Sequence, residues 1–194
     1  MYILGLTGPT GSGKTTFAAM LRTRGFYVAD GDTAARAVVR PGSPLLARLA
    51  DAFGADILTP DGALDRALTA KRAFSTPENV RTLNALMHPA IEQVLFDEIA
   101  RQADCPAAVI DAAALIESGI ADRCDLVAVA LAPREVRLAR IMQRDGLTAE
   151  QAETRMRAQP DDAFYTDRAD VVLHGFAPYD PEAELQKLLE RIPV

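Results

Sequence analysis

Gly8-Pro9-Thr10-Gly11-Ser12-Gly13-Lys14-Thr15 follows the apolar run Tyr2-Ile3-Leu4-Gly5-Leu6 and leads straight into Thr16-Phe17-Ala18-Ala19-Met20-Leu21. The order is strand, glycine loop, helix, and the spacing is G-x-x-x-x-G-K-[ST], that of a phosphate-binding P-loop. Gly8, Gly11 and Gly13 allow positive φ and let the backbone approach a ligand with no Cβ in the way. The backbone N–H groups of the loop, those of Ser12 and Thr16 included, then face one concavity at a helix N-terminus. Unpaired donors and the helix dipole both favour an anion there. Lys14 reads as an exposed loop lysine whose ammonium reaches the β- and γ-phosphates of a nucleotide. Thr15 reads as a hydroxyl ligand of the Mg²⁺ that bridges them. An ordinary glycine turn is the alternative, and the full motif between strand and helix argues against it.

Outward from the loop, Arg22-Thr23-Arg24-Gly25 is a basic last turn with a glycine stop, and Phe26-Tyr27-Val28-Ala29 a short buried strand ending at Asp30-Gly31-Asp32. In open α/β sheets ligands bind beyond the carboxyl ends of the strands, so both carboxylates are expected to face the crevice of the P-loop. A helix beginning near Asp32 would make that residue its N-cap, and a cap plus a loop carboxylate is the plainer reading of the pair. From about 33 to 103 the pattern is helical, with breaks at Pro41-Gly42-Ser43-Pro44, at Gly54 to Gly62 and near His88-Pro89. It carries no convincing buried strand and reads as an insertion over the crevice, an acceptor-binding subdomain.

Sheet strands return with Ala107-Ala108-Val109-Ile110-Asp111, Leu126 to Leu131 and Asp170 to Leu173. Asp111 ends an apolar run where a metal-directed carboxylate stands in many P-loop proteins, or it merely terminates the strand. About five parallel strands with interleaved helices make a doubly wound α/β fold. The core is expected over 1–32 and 104–194, with a helical lid over about 140–160. On the helix from Pro133 to Arg144, Arg137, Arg140 and Arg144 fall within roughly 60° of arc. They form either a solvated basic stripe or a face that contacts a triphosphate. Arg155 and Arg157 on the next helix suit a lid that closes over the nucleotide.

The 194 residues suffice for one domain with an inserted subdomain, and 49% hydrophobic with 25% charged residues is ordinary globular composition. The net charge of −6 disfavours a nucleic-acid partner and leaves small phosphorylated ligands as the expected ones. Cys105 and Cys124, with only 2 histidines in the chain, do not make a zinc site. Met1 leads directly into the first strand, so no leader is expected; no run of ~18 apolar residues suggests a membrane span, and the cytoplasm is the expected compartment.

With these residues in view the chain resembles the dephospho-CoA kinases, along essentially its whole length. The family's strand ending in Asp-Ala-Asp is seen as Val28-Ala29-Asp30-Gly31-Asp32, its Asp-Gly-x-Leu-Asp-Arg as Asp61-Gly62-Ala63-Leu64-Asp65-Arg66, and its Leu-x-x-x-x-His-Pro as Leu83 to His88-Pro89. Arg137-Leu138-Ala139-Arg140-Ile141-Met142-Gln143-Arg144 matches the arginine helix, and the lid continues to Ala158-Gln159. The resemblance implies a P-loop kinase core, a helical acceptor-binding domain and a lid, with ATP and Mg²⁺ used to phosphorylate the ribose 3′-hydroxyl of dephospho-CoA. It implies Asp32 as the base, Arg140, and with it Arg144, on the ATP phosphates, and Asp65, Arg66 and His88 on the acceptor side, in a monomer or small homo-oligomer.

Three positions depart from the pattern: Gly31 replaces alanine, Ala113 replaces proline, and Gly175 replaces an asparagine near the adenine-binding loop. The last implies weaker discrimination between ATP and GTP. Two other functions compete. A kinase of nucleoside monophosphates or sugar acids is one, although adenylate-kinase-like chains usually follow the P-loop lysine with glycine. A GTPase-type switch needs an Asn-Lys-x-Asp segment, and neither Asn79 nor Asn84 is followed by lysine.

Overall fold

The computed structural model describes residues 1–102, 105 and 107–193. The elements run β1 (Tyr2–Thr7), α1 (Lys14–Thr23), β2 (Tyr27–Asp30), α2 (Gly31–Ala37), α3 (Pro44–Phe53), α4 (Arg66–Ala73) and α5 (Pro77–Ala100). They continue as β3 (Ala107–Asp111), β4 (Leu126–Leu131), α6 (Arg134–Asp145), α7 (Ala149–Arg157), α8 (Asp162–Thr166), β5 (Val171–His174) and α9 (Pro181–Leu189). The chain divides into two compact units, Met1–Ala29 with Gln102–Val194, and Asp30–Arg101. The expected boundary near 103–104 lies outside the described residues.

The first unit is built on a five-stranded sheet of order β2-β3-β1-β4-β5. β1 pairs in parallel with β3 on one side and β4 on the other, and β4 pairs in parallel with β5. β3 is buried throughout and β4 at all but its last residue, which is why both read as unbroken apolar runs without alternation. Leu4, Leu6 and Val109 of the sheet pack with Phe17 and Leu21 of α1 and Leu185 of α9 in one core. Because β2 and β3 lie on one side of β1 while the chain then crosses to place β4 and β5 on the other, the loop after β1 opens at the switch point of the sheet, where such folds bind ligands.

The second unit is helical. Ser43 caps α3 ahead of Pro44, and Thr76 caps α5 ahead of Pro77, each side-chain oxygen accepting a backbone N–H of the first turn. Its core gathers Leu45, Leu49, Phe53 and Ile57 against Leu83, Met87 and Ile91 of α5. Two expectations are corrected here. The cap of α2 is Asp30, whose extended backbone places Oδ1 2.6 Å from the Thr33 N–H, so Asp32 lies within the first turn. α5 also runs unbroken through Pro89. The proline forfeits one backbone bond, but it is exposed on the outer face, while Leu86, Met87, Ala90 and Ile91 on either side of it pack on the unit's core and hold both halves of the helix in line.

Candidate active site

Register places the chemistry of the first unit. Leu6 of β1 lies opposite Asp111, the last residue of β3, and Thr7 opposite Val129 of β4, so the chain leaves β1 at the carboxyl edge of its neighbours. Gly8 turns there with φ 144°, and a Cβ would sit 2.2 Å from the Ala130 carbonyl. Gly13, at φ 98°, is the left-handed N-cap of α1 and offers no side chain to its free amides, which leaves them for a ligand. The loop is braced by Ser12 N–H to the Pro9 carbonyl at 3.1 Å and by Thr10 N–H to Gln159 Oε1 at 2.8 Å. Thr15 and Thr16 are exposed on the first turn of α1, and Ser12 Oγ is buried without a protein partner. Lys14 Nζ donates to Asp111 Oδ1, with side-chain exposures of 20% and 8%. The loop lysine is therefore the counter-charge of a nearly buried carboxylate, not the free surface charge that its position in a loop suggests.

The three arginines of α6 have three fates. Arg137 is buried and pairs with Asp162 Oδ1 at 2.8 Å. Arg140 spans two backbones, Nη1 donating to the Gly11 carbonyl at 3.0 Å and Nη2 to the Gly175 carbonyl at 2.6 Å. Arg144 forms a fork on Asp145, both contacts 2.8 Å, and Arg155 of α7 reaches the same carboxylate at 2.7 Å. The Arg144 bonds, with both arginine charges behind them, hold Asp145 below the usual carboxylate range. Arg134 and Arg157 share Glu153 in the same way. Of the expected phosphate-contacting arginines, Arg140 bonds the P-loop backbone through its guanidinium, while Arg144 belongs to an ion-pair cluster joining α6 and α7. Beside Arg140, a cavity of about 290 Å³ is lined by Thr16, Phe17, Gly175, Phe176 and Tyr179. Tyr179 stacks on His174 with ring centroids 4.2 Å apart and meets Phe176 edge-on at 5.1 Å. Sequence reasoning passes over Phe176 and Tyr179, because two aromatics in a Pro-rich loop carry no periodicity.

The second unit has its own cavity, about 410 Å³. Asp32, Arg36 and Arg66 supply its polar lining, and Val39, Leu49, Leu64, Leu83 and Met87 its apolar walls. Arg36 Nε donates to the Asp32 carbonyl at 3.1 Å, one helical turn back. Asp65 caps α4, accepting the Leu68 N–H at 2.9 Å, and thereby fixes the turn that carries Arg66; Asp65 does not itself line the cavity. His88 follows Met87 on α5 outside that lining, and burial pushes its pKa below the usual imidazole value. Arg36 was the residue to find: its i+4 spacing from Asp32 puts both on one face of a helix.

A phosphate cradle at the switch point of a parallel sheet, in a chain that also carries a helical unit with a polar-and-apolar cavity, defines a P-loop kinase of small molecules that uses ATP. Within that class the chain belongs to the dephospho-CoA kinase family, whose model (CoaE: Dephospho-CoA kinase) matches residues 2–177. It is 45% identical to the dephospho-CoA kinase of Anaeromyxobacter dehalogenans over 177 residues, 90% of this chain and 84% of that one. It is 41% identical to that of Corynebacterium jeikeium over 99% of this chain and 96% of that one. Among solved structures, TT1252 from Thermus thermophilus superposes with a TM-score of 0.82 at 32% identity, covering 97% of this chain and 94% of that one. Dephospho-CoA kinase from Campylobacter jejuni shares the fold at a TM-score of 0.68 and 24% identity, covering 97% and 95%. Shikimate kinase from Acinetobacter baumannii shares it at 0.55 and 16%, covering 98% and 92%.

Proposed function

We propose that the chain transfers the γ-phosphoryl group of ATP to the ribose 3′-hydroxyl of dephospho-CoA, giving CoA and ADP, the last step of coenzyme A biosynthesis. Family membership supports the reaction. The observation that carries the assignment of parts is that the P-loop lies in one unit while the other encloses a cavity uniting Asp32 with two arginines and an apolar wall. A dephospho-nucleotide with a pantetheine tail needs that mixture of charge and oil.

On the donor side, the free amides at the start of α1 and the Lys14 ammonium receive the phosphates, the N–H groups of Thr10, Ser12 and Thr16 being bonded to Gln159, Pro9 and Gly13 instead, and Arg140 and Arg144 add positive charge where charge accumulates in the transfer. Mg²⁺, when bound, would neutralise phosphate charge as it develops in the transfer. The Thr15 hydroxyl and the Asp111 carboxylate would hold it. Such hard oxygens suit an ion that takes one or two protein ligands and completes its shell with phosphates and water. On the acceptor side, Asp32 orients the 3′-hydroxyl and takes its proton as the new oxygen–phosphorus bond forms and ADP leaves. Arg66 meets the acceptor's phosphates, Asp65 positions it, and His88 adds a contact from α5. The enzyme would work in the cytoplasm as a monomer or small homo-oligomer; its charge of −6 disfavours nucleic acid, and no helix among the described residues is long and apolar enough to cross a membrane.

The test is ADP release over a panel of dephospho-CoA, adenosine, AMP, shikimate and gluconate, with the product mass determined. Turnover is expected on dephospho-CoA, and adenosine is expected to be poor because it lacks the contacts whose binding energy positions the hydroxyl. Turnover of another panel member with none on dephospho-CoA would overturn the reading.

A further inference from the structure

The loop after β5 and the P-loop touch backbone to backbone, and the touch depends on residue 175. A Cβ built on Gly175 would lie 2.2 Å from the Ser12 carbonyl oxygen and 3.3 Å from Gly13 Cα; one built on Gly13 would lie 3.2 Å from both Cα and O of Gly175. Neither neighbour is the free end of a side chain, so neither can swing aside. Three further bonds fix the contact. Gly175 N–H donates to the Leu131 carbonyl at 3.0 Å, anchoring the loop to the end of β4. Arg140 holds Gly11 and Gly175 by their carbonyls with one planar guanidinium, a span suited to a rigid fork and not to a single ammonium. Gly175 also lines the cavity that Phe176 and Tyr179 wall.

We propose that Gly175 is a positioning residue of the donor site: its missing side chain lets the 175–179 loop lie directly on Ser12 and Gly13, and Arg140 locks that contact, so the phosphate cradle and the neighbouring aromatic cavity move as one body. The consequence is structural before it is a matter of base recognition. Any side chain here pries the loop from the P-loop, and displacements near 1 Å in a positioning element cost up to about 10²-fold. The inference rests on the donor assignment made above, and not on the identity of the acceptor.

The experiment uses the full chain with Gly175→Ala. Calorimetric ATP affinity and the KM for ATP should worsen by at least about tenfold, with the KM for dephospho-CoA changed by less than about twofold. ATP affinity within about twofold of wild type, or an equal rise in both Michaelis constants, overturns the proposal. If that variant does not fold, hydrogen exchange of nucleotide-free Arg140→Met decides. Faster exchange in both the 8–13 and the 175–179 segments is expected, whereas unchanged protection means that Arg140 serves phosphates alone and overturns the lock. Calorimetric ATP binding requires no acceptor, so failure here is distinct from absence of turnover on dephospho-CoA by the wild-type chain.

Discussion

Lys14 neutralises Asp111, so removing it does two things at once. Lys14→Ala should abolish most turnover and also cost about 1–3 kcal/mol of stability by leaving a charged group 8% exposed without its partner. Urea denaturation of Lys14→Ala and of Lys14→Ala/Asp111→Asn separates the two: the double variant should recover most of the stability and none of the turnover. The acid pair divides similarly. Asp32→Asn should retain ATP affinity and lose about 10²- to 10⁴-fold in single-turnover rate, the usual span for a positioned base. Asp30→Asn should be mild, since asparagine caps a helix as well as aspartate, and Asp30→Ala should lose about 0.5–2 kcal/mol of stability. A slower transfer in Asp30→Asn than in Asp32→Asn would move the catalytic role to Asp30. The P-loop was legible because its residue types serve local backbone needs. The Lys14–Asp111 pair was not, because 97 residues separate its members and only sheet register brings them together.

Helix α6 shows what periodicity can and cannot tell. It places Arg137, Arg140 and Arg144 on one face, but their uses are set by what lies opposite each: Asp162, two carbonyls, and Asp145. Arg140→Ala should cost on the order of 10²-fold in kcat/KM, as loss of one preorganised donor does, and a change under about twofold would remove Arg140 from the donor site. Arg137→Ala should act first on stability, read by thermal melting, because it strips the partner from Asp162 and empties a buried position. Helix α5 illustrates the opposite error: a proline reads as a break, yet packing against the core of its own unit outweighs one lost bond. The same helix holds His88, whose depressed pKa means the unfolded chain takes up a proton that the folded chain refuses. That cost is absent above the unfolded value of ~6.5 and grows as pH falls below it. Melting temperature against pH should therefore fall less steeply between about pH 7 and 5 in His88→Gln than in wild type, and parallel curves would show that His88 carries none of the dependence.

At the scale of the molecule, the sequence separates a sheet-based part from a helical one because the two follow different periods, 2 or unbroken runs in the first and 3.6 in the second. It hides the cavities, because each is closed by residues from several elements: Asp32 and Arg36 come from α2, Leu49 from α3, Arg66 from α4, and Leu83 and Met87 from α5. Two substrates assigned to two units make a prediction that single-site kinetics cannot. Hydrogen exchange of the whole chain, with a non-hydrolysable ATP analogue and dephospho-CoA added separately, should give two different maps. The analogue is expected to protect amides of the P-loop, of α6 with α7, and of the 175–179 loop. Dephospho-CoA is expected to protect segments bordering the 410 Å³ cavity, namely the first turns of α2 and α4 and the stretch of α5 around Leu83 and Met87. The amides of α2 and α4 concerned lie in the first turns of short helices, and α5 lacks one backbone bond at Pro89, so ligand binding has slack to remove. Protection by dephospho-CoA confined to the P-loop and the 175–179 loop would mean that the acceptor competes for the donor site, and it would take the acceptor role away from Arg66 and from the cavity of the helical unit.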